Sequence, residues 1–218
     1  MIFKNTSTKL KRPQTASEEK ANAFSHGFGL VLAWIGIPFL LFETLQNSSF
    51  LMLIAVLLFC LGILMVYSFS TAYHAAIKPK IKAQLQVWDH ISIYFLIAGS
   101  YSPMLLAILN QKTAIIFLSI IWSSVIIGTF FKIFFTGRFK ILSVVIYLTM
   151  GWLAVFFLND LIENLSLDIL FWIGVGGLSY TVGVYFYIKS EKPYYHSIWH
   201  IFVLLGTFSH FVAVFKIS

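Results

Sequence analysis

The chain has 218 residues, 59% of them hydrophobic and only 11% charged, whereas a soluble domain carries about 25% charged residues to cover its core. A water-soluble globular fold is thereby excluded. The net charge of +7 sits between long apolar blocks, so it reads as membrane topology and not as a nucleic-acid surface.

Residues 1–20 read as a short basic cytoplasmic tail and residues 21–218 as one transmembrane domain. Crossing the hydrocarbon core takes about 20 apolar residues. Seven blocks meet that length: 23–42, 50–74, 84–108, 113–134, 141–159, 167–188 and 194–215. The first is too long for the apolar core of a cleavable signal peptide. Connections at 43–49, 75–83, 109–112, 135–140, 160–166 and 189–193 are short, so consecutive spans run antiparallel. Pro38 and Pro103 fall inside spans, as kinks that neighbouring helices tolerate. Glycines 27, 29 and 36 in the first span, and 174, 176 and 177 in the sixth, are read as close-packing positions. The single cysteine, Cys60, lies in an apolar run and has no intrachain partner.

Lys and Arg placement orients the bundle. With the N-terminus in the cytosol, 13 of the 15 basic residues fall on inner segments, and only Lys112 and Lys216 fall outside. The predicted fold class is therefore all-α: a polytopic seven-transmembrane-helix bundle, N-terminus cytoplasmic and C-terminus outside.

This topology places five of the six histidines at one depth. His26 opens the first span, His74 closes the second, His90 opens the third beside Asp89, and His196 and His200 open the seventh. His210, ten residues beyond His200, is about 15 Å deeper and suits hydrogen bonding between helices. The i, i+4 spacing of His196 and His200 stacks both imidazoles on one helical face. A helical pair of this kind is often only packing, but His74 at the same depth raises the case for metal. Three imidazoles and a water make a tetrahedral Zn²⁺ site with an open position, provided that the second and seventh spans are adjacent. Asp89 is a candidate general base for the water, or alternatively orients a ligand histidine. Its bland reading is an acid at a helix N-terminus. Ser70, one turn before His74, is a candidate donor to the reacting group, against a serine that bonds its own backbone. Glu19, Asn22 and His26 share one helical face and read as structural or supporting, as does His90.

Taken together, Glu19-x-x-Asn22-x-x-x-His26, Ser70-x-x-x-His74, Asp89-His90, His196-x-x-x-His200 and Ser209-His210-Phe211, in that order on seven spans, resemble the hemolysin III family. That family is grouped with the progestin and adipoQ receptors and, more distantly, the alkaline ceramidases. The resemblance implies a seven-helix bundle with zinc near the cytosolic side, held by His74, His196 and His200, with Ser70 and Asp89 in the family's serine and aspartate positions. It also implies hydrolysis of a ceramide-like lipid amide. The expected function is a zinc-dependent hydrolase of a membrane lipid amide or ester. The rivals are a zinc-braced sensor without enzymatic activity and a pore-forming cytolysin.

Overall fold

The computed structural model describes residues 12–136 and 139–218. Lys4, Lys9, Lys11 and Arg138, which contributed to the charge asymmetry, lie outside the described residues. Helix α1 (Ala16–Asn47) is followed by α2 (Phe50–Ala75), α3 (Pro79–Ile108) and α4 (Gln111–Phe135). Next come α5 (Lys140–Trp152), a 3₁₀ turn (Leu153–Phe157) and α6 (Leu158–Asn164), which together make the fifth span, then α7 (Leu167–Ile188) and α8 (Tyr195–Ile217). The described residues contain no strand, and seven helical segments are long and apolar enough to cross a membrane.

Local sequence sets the ends. Thr15 and Glu18 form a capping box at α1: the Glu18 amide donates to Thr15 Oγ1 at 3.3 Å, and the Thr15 amide to Glu18 Oε2 at 2.8 Å. Ser49 and Asn110 cap α2 and α4 through the amides of Met52 and Thr113. Pro79 opens α3 at its first position, where a missing N–H costs nothing. Helix α1 begins before the apolar block does. Its 32 residues extend about 48 Å, so its first turns project beyond the hydrocarbon and carry Glu18, Glu19 and Asn22.

Helix α3 is the axis of the bundle, with 72% of its span buried against 17% for α7, and it packs on α2, α4, α5 and α8. Its approach to α2 is reciprocal. A Cβ on Gly62 would lie 2.7 Å from the Phe95 carbonyl oxygen, and one on Gly99 would lie 2.8 Å from that of Leu58. Only hydrogen at both positions lets the two backbones touch, a packing mode that replaces the hydrophobic drive absent between helices in lipid. Glycines 29 and 36 admit Tyr67, Leu204 and Phe211, and Gly176 admits the His210 ring, but Gly174 and Gly177 face open space. Those last two glycines do not serve the close packing expected of them.

Helix α1 packs against both α2 and α8, and α3 also reaches α8, but α2 and α8 make little or no direct backbone approach. The second and seventh spans are nevertheless neighbours through their side chains, as the metal reading requires: the His74 ring lies 5.1 Å from that of His196 and 5.0 Å from that of His200. Their histidines meet through side chains across a gap that α1 and α3 bracket. Large apolar side chains such as Phe24, Trp34, Phe130, Phe134 and Phe156 point outward, as a lipid-facing surface requires.

A candidate metal centre

Helix α1 supplies a polar face at its exposed start: Glu18, Asn22 and His26 are all buried, and Glu19 is partly so. α2 ends on His74, and α8 begins with His196 and His200 on one face. Their side chains converge on a common point. One nitrogen from each of His74, His196 and His200 lies within 4.8 Å of the others. The ring centroids are 5.1 Å apart for His74 and His196, 5.0 Å for His74 and His200, and 4.7 Å for His196 and His200.

The surroundings decide which nitrogens face inward. His74 Nδ1 lies 2.7 Å from Glu19 Oε2. An ionised carboxylate only accepts, so Nδ1 carries a proton and Nε2 is the nitrogen left to face an ion. That Nε2 is buried without a hydrogen-bond partner. Lys82 Nζ, 3.1 Å from the other Glu19 oxygen, completes a line from ammonium to carboxylate to imidazole. At His200, Nδ1 faces the Asn22 carbonyl at 3.2 Å and Ser25 Oγ at 3.0 Å. Ser25 spends its own proton on the Asn22 carbonyl, so its oxygen accepts from His200, and Nε2 is again the free position. Carboxylate or carbonyl support of the non-ligating nitrogen is how proteins orient metal-binding histidines. Three converging imidazoles, two of them oriented from behind by hydrogen bonds, suit zinc, and also copper, iron or nickel. The residues therefore fit a transition-metal ion.

The remaining predicted residues fall into place around this triad. Asn22 is its hub, since its side chain lies 3.5 Å from His74 Nδ1 and accepts from Ser197 Oγ at 2.6 Å. His26 is stacked on His200 with centroids 3.6 Å apart, backs the site instead of joining it, and leaves both ring nitrogens buried without partners. Asp89 is not among the clustered ligands. Its carboxyl faces Ser70 and lies within electrostatic reach of His74 and Lys132. Ser70 is buried, and its hydroxyl lacks a partner at hydrogen-bond geometry, which weighs against the reading of a serine bonded to its own helix. His90 accepts from the Tyr147 hydroxyl through its carbonyl, and its ring lies within electrostatic reach of His196. His210 sits apart against Gly176 and Tyr180, directed toward the carbonyl of Ile173 on α7.

The chain matches the family described as Haemolysin-III related over residues 14–211. The chain belongs to the haemolysin III family. It is 39% identical over 203 residues to the "Hemolysin-3 homolog" of Bacillus subtilis, covering 92% of this chain and 94% of the relative. Identity to "Hemolysin-3" of Bacillus cereus is 36% over 201 residues, 92% of each chain. The human "Monocyte to macrophage differentiation factor" is 28% identical over 93% of this chain and 85% of its own. Seven membrane-length helices and these bacterial relatives support a multi-pass integral protein of the bacterial plasma membrane.

Several residues that shape this haemolysin III site escaped the sequence reading. Glu18 is only 3% exposed, yet Glu19 drew attention because it shares a face with Asn22 and His26. The signal for Glu18 was the capping spacing Thr15-x-x-Glu18. Ser25 and Ser197 carry no signal beyond their positions beside known polar residues. Lys132 counted only as a topological charge, but it is buried and donates to Ser143 Oγ at 2.6 Å.

Proposed function

We propose that this haemolysin III protein is a metal-dependent membrane hydrolase, with zinc as the resident ion and a lipid amide or ester as the substrate. The observation that carries this reading is a triad of imidazoles, two of them oriented by hydrogen bonds at Nδ1, set beside a carboxyl and a serine hydroxyl that face each other outside the ligand cluster. His74, His196 and His200 would hold the ion. Zinc bound there supplies Lewis acidity and brings the pKa of water to about 7. Asp89 takes the proton released when water attacks the carbonyl carbon and returns it to the leaving amine or alcohol. Ser70, whose hydroxyl faces Asp89, donates to the carbonyl oxygen. The site lies near one end of the spans, level with the headgroup linkages of a lipid that enters between helices.

Metal analysis on purified wild type and on His196→Ala, paired with turnover of lipid amides and esters, tests this. Wild type is expected to hold about one ion and to hydrolyse, and His196→Ala to lose both. Asp89→Asn is expected to keep its metal and lose turnover by at least about 100-fold. A fully loaded wild type that leaves every such lipid intact ends the enzyme reading. A second reading, in which the ion only braces the bundle, is favoured by the way Glu19, Asn22 and the triad tie α1, α2 and α8 together. In that case Asp89→Asn would leave cellular function intact, while loss of the triad would unfold the protein. The lysis that the names of the Bacillus relatives denote is a third possibility, and ion flux through reconstituted vesicles addresses it.

A further inference from the structure

Residues 12–15 run as a strap across the end of the bundle where the triad lies. Gln14 accepts from the Asn22 side chain, and Asn22 in turn touches His74, Ser197 and His200. Arg12 reaches across to the α7–α8 turn, its Nε donating to the Glu191 carbonyl at 3.0 Å. One side chain fastens the whole arrangement. Glu18 pairs with Arg12 at 2.5 Å, accepts from the Thr15 amide at 2.8 Å and accepts from the Tyr194 amide at 2.8 Å. Tyr194 is the one positive-φ non-glycine among the described residues, at φ 59°, a conformation that disfavours a side chain with a Cβ. It lies two residues before His196. A backbone in that state persists only where its surroundings hold it, and Glu18 supplies the hold.

We propose that Glu18 is the latch on metal exchange at the triad. Closed, it pins the strap across the ion's path and fixes the turn that launches α8 with both of its ligands. Opened, it frees the Arg12 end of the strap and bares the triad from the end that carries the N-terminus. Glu18 makes no contact with the ligand imidazoles themselves, so it is a positioning residue. This rests on the metal reading above, but not on hydrolysis.

A latch has a kinetic signature that a merely structural residue lacks. Opening a lid speeds entry and exit together and leaves the equilibrium constant nearly unchanged, whereas damage to ligand geometry speeds exit alone. The experiment measures zinc uptake by the metal-stripped full chain and zinc loss to excess chelator, in detergent, for wild type, Glu18→Gln and Arg12→Ala. Glu18→Gln loses the charge that holds Arg12 and keeps one acceptor oxygen, so it can serve the Thr15 amide or the Tyr194 amide but not both. Arg12→Ala alters a surface side chain ahead of the first span and leaves Glu18's caps intact, so it is informative even if Glu18→Gln fails to fold. Both variants are expected to raise both rates by roughly tenfold or more, since each loses the charge-assisted Arg12–Glu18 hydrogen bond and one further bond, with Kd within about threefold of wild type. Unchanged rates in folded variants, or faster loss with unchanged uptake and weaker affinity, overturn the proposal. A wild type that binds no zinc removes the metal reading itself, an outcome visible before any variant is made.

Discussion

Glu19 shows how much chemistry one residue can carry at the edge of a membrane. Its carboxylate accepts from His74 at 2.7 Å and from Lys82 at 3.1 Å, and this fixes the imidazole that α2 contributes. Glu19→Gln removes the charge and leaves His74 free to flip its tautomer or its ring. Affinity for zinc is expected to fall by about 10- to 100-fold with the fold retained, as measured by chelator competition on purified protein. His74, His196 and His200 were legible in the sequence because i, i+4 spacing and a shared depth are one-dimensional properties. The division of labour between Glu18 and Glu19 was not. Adjacent residues on a helix point about 100° apart, and only the position of α8 decides which one meets Tyr194 and which meets His74.

At the scale of elements, the fifth span departs from a plain helix. The sequence predicts an uninterrupted block over residues 141–159, but the chain tightens to a 3₁₀ turn at Leu153–Phe157 between α5 and α6. Such a break strands backbone groups that lipid cannot satisfy. Tyr101 on α3 resolves this. Its hydroxyl donates to the Gly151 carbonyl at 2.8 Å and accepts from the Ala154 amide at 2.7 Å. Tyr101→Phe preserves the ring and orphans both groups, so it is expected to destabilise the protein by about 1–3 kcal/mol. A thermal melt in detergent would show this, and a midpoint equal to wild type would refute it. No pattern within residues 141–159 announces the break, because the residue that makes it tolerable is about fifty positions away on another helix.

At the scale of the whole molecule, the charge asymmetry makes a testable statement about sidedness. The protein's own Cys60 is buried, so an introduced cysteine can be read against a quiet background. Glu191→Cys, in the α7–α8 turn, is expected to resist a membrane-impermeant maleimide in intact cells, while Asn164→Cys, at the end of α6, reacts. The opposite pattern would invert the orientation and place the triad at the outer face. Seven spans, their antiparallel order and the gathering of histidines toward one end all follow from the sequence alone, because hydrocarbon thickness and backbone hydrogen bonding leave a lipid-exposed chain few alternatives. Which helices touch was decided by tertiary packing. Glycines 62 and 99 bring α2 and α3 into contact, α1 packs on both α2 and α8, and the triad closes between those two helices through side chains. Helix contacts in lipid depend on steric fit between surfaces remote in sequence, and no local pattern of residues encodes that fit.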